Sequence, residues 1–175
     1  AEFRRSKFDK AIAIMDGLIH EDTGDPYFHE MKGQMLYENG RIQEAIEAYG
    51  KAAAILPKAP YIRRDLARAQ IDSGNPSYLK HAIANLEVTL ATDSRSPRNW
   101  RFLAIAHGRS GNLPKSYLAL GEEALLLGKP DEARFQANRA KKAFARGTRD
   151  WLHAEDILIA ADEVARALKR NKKNK

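Results

Sequence analysis

The chain contains no cysteine in its 175 residues, which excludes disulfides, cysteine-based zinc sites and thiol nucleophiles. That absence fits a reducing or an oxidising compartment equally well. No stretch approaches the roughly 20 apolar residues needed to cross a bilayer. The opening AEFRRSKFDK has no apolar core of the kind a signal peptide requires, so none is expected within the chain. Because that opening lacks Met, the sequence is expected to be a fragment whose parent carries any targeting signal upstream.

Paired metal ligands are lacking too. PYFHEMKGQ (26–34) holds a His-Glu step inside an amphipathic pattern, but the residue four beyond His29 is Gly33. A zinc-peptidase helix needs H-E-x-x-H, since two imidazoles four apart share one helical face and one metal. The other histidines, His20, His81, His107 and His153, offer no pair three to five residues apart. His20-Glu21-Asp22 ends a helix and reads as cap and surface, and His107 as a core histidine. GRSGN (108–112) is too short for a phosphate loop, and Ser110 lacks a nucleophile elbow. Glu122-Glu123 and Asp131-Glu132 read as solvated pairs. No catalytic residue, metal site or cofactor is expected.

The net charge is +7, but Lys169, Arg170, Lys172, Lys173 and Lys175 supply five of those charges. Residues 169–175 therefore read as a basic, disordered tail on a near-neutral body. No nucleic-acid partner is expected; binding through that tail stays open as an alternative.

What is abundant is self-similarity. Ala11, Ile12, Met15 and Leu18 recur 34 residues later as Ala45, Ile46, Tyr49 and Ala52; Pro26, Gly33 and Gly40 recur as Pro60, Ala67 and Gly74. The phase then slips by three, so that Ala67 to Ala104 and Ala45 to Ala82 are 37 apart. The extra residues fall in GNPSYLK, where Asn75-Pro76 marks a turn able to absorb them. Small residues stand at fixed points, Gly33, Ala67, Ala104 and Gly121 in first helices and Ala11, Ala45, Ala82 and Ala133 in second helices. They mark where two antiparallel helices cross closely while large neighbours interlock.

Leu36, Gly40, Ala45, Tyr49, Ala52 and Pro57, with Trp100, Leu103, Ala104 and Gly111 farther on, resemble the tetratricopeptide repeat. The resemblance implies an all-α, right-handed superhelical solenoid of antiparallel helix pairs, about four repeats plus a C-terminal capping helix. Expected domains are an array at 1–147, a cap at 148–168 and the tail at 169–175. Helices are expected near 4–21, 26–39, 41–55, 59–73, 77–92, 97–110, 113–127, 130–145 and 149–170. The last carries an apolar stripe of Trp151, Ala154, Leu158, Ala161, Ala165 and Leu168.

DPYFHEMKGQMLYENGRIQEAI (25–46), NWRFLAIAHGRSGN (99–112) and DWLHAEDIL (150–158) are also similar to the C-terminal repeats of BepA-like bacterial zinc metallopeptidases. That resemblance implies the substrate- or partner-recognising part of a periplasmic protease of outer-membrane protein quality control, with the peptidase domain outside these residues.

In such a solenoid the first helix of each unit lines the concave side. The residues expected there are Tyr27, Glu30, Gln34 and Tyr37, then Tyr61, Arg64, Arg68 and Ile71, then Arg98, Arg101 and Ile105. Tyrosine and arginine dominate interface hot spots, and guanidinium forks at Arg64, Arg68 and Arg101 suit carboxylates of an extended peptide; solvated arginines that balance nearby Asp65 and Glu30 are the open alternative. The function expected is a non-enzymatic scaffold for a protein or peptide, with dimerisation through exposed repeat ends open. A metal-binding or hydrolytic fragment acting through His20 and His29 is the rival from the enzyme class.

Overall fold

The computed structural model describes residues 2–173, and the side chains of 7–171. Every regular element among the described residues is helical. The order is α1 (Glu2–Glu21), α2 (Pro26–Glu38), α3 (Ile42–Ile55), α4 (Pro60–Asp72), a 3-10 turn (Pro76–Tyr78), α5 (Leu79–Thr92), α6 (Pro97–Arg109), α7 (Leu113–Leu126), α8 (Pro130–Lys141) and α9 (Arg149–Lys173). None of these helices is long and apolar enough to cross a membrane.

The sequence sets these boundaries with a repeated device. Proline opens α2, α4, α6 and α8 at the first helical position, where its missing N–H is no loss and its fixed φ is already helical. The Asp25 carboxylate accepts from the Tyr27 N–H at 2.7 Å, capping α2. Closure uses glycine. Gly40 has φ +77° and Gly111 φ +83°, a region costly for residues with a Cβ. The Gly40 N–H then donates to Tyr37 O at 3.0 Å and the Arg41 N–H to Leu36 O at 2.9 Å, the paired bonds of a Schellman stop. The three-residue slip is the 3-10 turn, where Asn75 accepts from the Ser77 N–H at 3.0 Å.

The helices fall into two compact units, Ala1–Thr89 and Leu90–Lys175, where the sequence reading had one array over 1–147. In the first, α1 packs on α2, α2 on α3 and α3 on α4. Its core joins Leu36, Ala45, Ile46, Tyr49, Ala52, Ile62 and Leu66, with Phe8 and Ile12 against it. In the second, α6 packs on α7, α7 on α8, and α9 on both α8 and α7. Alanine dominates that core: Ala133, Ala137, Ala140, Ala154 and Ala161 surround Leu118 and Ile157.

The small-residue positions do what close crossing demands. Ala45, Ala67, Ala82 and Ala133 have no exposed surface. A Cβ on Gly33 would stand 2.8 Å from Cδ1 of Tyr49, so that ring occupies the room a side chain at 33 would need. Two expectations for the last helix change. α9 buries Ala154, Ile157 and Ala161, and Val164 and Ala165 are partly buried, but Leu168 is 42% exposed. It also continues to Lys173, so residues 169–173, read from sequence as disordered tail, are helical. Asn174 and Lys175 lie outside the described residues.

Candidate functional site

Residues 34 apart occupy equivalent places on α2 and α4, which pairs Tyr27 with Tyr61, Glu30 with Arg64 and Gln34 with Arg68. Both helices pack on α3 and they touch each other, so these positions form adjoining strips within the first unit. Tyr27 and Tyr61 are exposed at 59% and 60%, which leaves most of each ring open to a partner. The Arg64 guanidinium lies 5.2 Å from the Tyr61 ring centre. That of Arg68 lies 4.1 Å from the Tyr37 ring centre, linking the two helices. The Tyr37 hydroxyl donates to Asp72 across the same seam.

Charge on this face is largely internally matched. Arg64 donates from Nε and Nη2 to the Asp65 carboxylate at 3.0 and 3.1 Å, and Gln34 donates to Glu38 at 2.9 Å. Burial, and then Asp65, raise the Glu30 carboxyl above its usual range, with Arg64 opposing. Burial first, then the hydrogen bond to Asp72, raise the Tyr37 phenol. The Arg68 Nε is buried with no hydrogen-bond partner among the described residues. The face therefore offers two open aromatic rings over a rigid polar floor.

Three sequence expectations need correction. Ile71, expected on the open face, is only 2% exposed and belongs to the core. Arg98 and Arg101 fall in the second unit, so the structure divides the expected set between two bodies. Arg98 is exposed, whereas Arg101 Nε already donates to Glu123 Oε1 at 2.8 Å. Glu122 and Glu123, read as solvated, are not. Glu123 is buried under Arg101, and half-buried Glu122 sits 2.6 Å from His153 Nε2. These pairings join α7 to α6 and α9 across distances of sequence that no local pattern signals.

Two of the five histidines, His29 and His107, are buried, whereas His20 and His81 are exposed. His107 is buried as expected, and burial pushes its pKa down to about 4, so it is neutral near pH 7. His29 is buried instead of standing on a polar surface; burial, then Lys51 and Lys32, lower its pKa. With Asp16, Lys32, Glu44, Glu47 and Lys51 it lines a cavity of about 130 Å³ between α1, α2 and α3, which sequence reasoning missed. Among the described residues no three His, Asp or Glu side chains converge as metal ligands.

Known proteins share the fold. The sequence profile of the tetratricopeptide repeat matches residues 36–77, from the end of α2 through α4 into the 3-10 turn. No curated protein sequence matches the chain. Among solved structures, the MamA RS-1 ArsTM double mutant is 18% identical with a TM-score of 0.66, over 95% of this chain and 89% of that one. MamA 41-end from Desulfovibrio magneticus RS-1 is 18% identical with a TM-score of 0.65, over 94% and 89%. A chain of Naa15/Naa10 bound to HypK-THB is 20% identical with a TM-score of 0.56, over 97% of this chain but 28% of that one. Residues 36–77 thus match the tetratricopeptide repeat, and the chain shares an all-α fold with MamA.

Proposed function

We propose that the chain is a protein-interaction scaffold whose α2–α4 face receives a peptide or protein segment. The observation that carries this is the pair of exposed tyrosines, Tyr27 and Tyr61, on adjoining repeat-related helices, backed by arginines held against aromatic rings. Aromatic anchors over a preorganised polar floor bind at low entropic cost, because few rotamers remain to be frozen. Glu30, Gln34 and Tyr37 complete the face, and Arg98 and Arg101 serve as separate contacts of the second unit. Naa15/Naa10, which includes a chain of similar fold, is bound to HypK-THB, so the fold occurs within a protein complex.

The experiment is a peptide-library selection on the purified chain, followed by affinity measurement of a selected peptide. Tyr61→Ala and Arg68→Ala should each weaken binding by about tenfold, as loss of a hot-spot residue does. Affinities unchanged in both variants would remove this face from the account.

The finer reading is that this scaffold is the recognition part of a periplasmic zinc metallopeptidase. It is supported by the resemblance carried at 25–46, 99–112 and 150–158. An upstream reading frame encoding an H-E-x-x-H helix and a signal peptide would support it, and one encoding neither would end it.

A further inference from the structure

The two units differ sharply in charge. Residues 1–89 hold 12 Lys and Arg against 13 Asp and Glu, whereas residues 90–175 hold 18 against 10. Within the second, the 17 residues from Ala133 to Arg149 include six cations and no carboxylate. They run along α8, through the turn after it and into the start of α9. Neighbouring carboxylates are already engaged: Glu155 by Lys141, Asp131 and Asp162 by Arg134, and Asp150 by Lys115 at 3.9 Å. Arg139, Lys142, Arg146 and Arg149 are exposed and make no ion pair among the described residues.

Aromatic rings aim two of these cations. The Arg139 guanidinium lies 3.8 Å from the Tyr117 ring centre and 5.4 Å from that of Phe135. Its Nη2 also donates to the Tyr117 hydroxyl at 2.6 Å. Arg146 lies 6.0 Å and Lys141 4.8 Å from the Trp151 ring centre. Ring contact holds a guanidinium in place, and the Arg139 donors other than the Nη2–H given to Tyr117 remain for a carboxylate. The N-terminus of α9, at Arg149, adds the positive end of a 25-residue helix.

We propose that this α8–α9 face docks an acidic peptide segment, an Asp- or Glu-rich stretch of a partner protein, through Arg139, Lys142, Arg146 and Arg149. The α2–α4 face is unsuited to that task, since Arg64 there is already paired with Asp65. Single-stranded nucleic acid needs open ring faces for base stacking, and cations lie over Tyr117 and Trp151. An anionic bilayer would meet exposed Asp156 and Glu163 on the same side of α9 as exposed Leu152 and Ile159.

The test is fluorescence anisotropy of a fluorescein-labelled Glu-rich peptide titrated with the chain. Binding should weaken as salt rises. Arg139→Glu/Arg146→Glu should weaken it at least about tenfold. Lys142→Glu/Arg149→Glu should weaken it comparably, and these solvent-facing positions leave the rings packed. Arg139→Lys, which keeps the charge and loses the planar fork, should cost about threefold or more. Lys80→Ala, an exposed cation of the first unit outside both faces, should change nothing. The proposal is overturned if both double variants bind as the parent does, if Arg139→Lys is silent, or if Lys80→Ala carries the loss. It is equally overturned if duplex DNA or phosphatidylserine vesicles bind while the peptide does not.

Discussion

Replacing Gly33 by alanine probes the helix crossing at its tightest point. A Cβ there would stand 2.8, 2.9 and 3.0 Å from Cδ1, Cγ and Cε1 of Tyr49. The ring cannot swing aside, because Tyr49 is 1% exposed and enclosed by the first unit's core. Overpacking of this kind costs about 1–3 kcal/mol. It is opposed by helix propensity, which favours Ala over Gly by about 1 kcal/mol in a helix interior. Gly50, inside α3 of the same unit, separates the two effects, since nothing lies within 4 Å of its added Cβ. Gly50→Ala should therefore stabilise by up to about 1 kcal/mol. Gly33→Ala should fall below it by about 1–3 kcal/mol, the size of the clash alone. Urea unfolding followed by circular dichroism, with unchanged m-values, reads both variants. Equal stabilisation by the two would refute the claim that Gly33 is small because Tyr49 needs its space.

Two further perturbations follow from the same geometry. His107 has a folded-state pKa of about 4 against 6.5 for the unfolded group, so the unfolded chain takes the proton first. Its contribution is complete above about pH 6.5 and fades as pH falls toward about 4, by up to about 3 kcal/mol; His107→Gln should flatten the urea midpoint across that window, and a slope unchanged by the substitution would contradict it. Arg101→Ala leaves the Glu123 carboxylate, 10% exposed, without its ion pair and should cost about 1–3 kcal/mol in thermal or urea unfolding. Arg101→Ala/Glu123→Ala should cost less than the first change alone, whereas additive losses would show that the pair is not coupled.

Much of the fold was legible because its signals are local. Proline at a first helical position, glycine at a positive-φ stop and alanine at a fixed phase each act within a turn or two. The helix boundaries and the 3-10 turn at Pro76 therefore follow from the residues themselves. The phase of the repeat also carried nonlocal information, since Gly33 and Tyr49 are explicable only together. The candidate site was legible as a set of positions but not as a chemistry. Sequence could place Arg64, Arg68 and Arg101 on first helices and set Asp65 beside Arg64 as a balancing charge, but not show that Glu123, from the next helix, occupies the fork of Arg101.

By itself, then, the sequence determined an all-α chain of helix hairpins, because periodicity, caps and small-residue phase are properties of short segments. Tertiary structure alone decided that Ile71 and His29 are buried, that Glu122 and Glu123 bind His153 and Arg101, and that the chain divides near Thr89. It also decided which cations stay without carboxylates around α8. The reason is physical: burial and ion pairing depend on which side chains from distant segments arrive at one place, and a helical period fixes a residue's direction but not its neighbour.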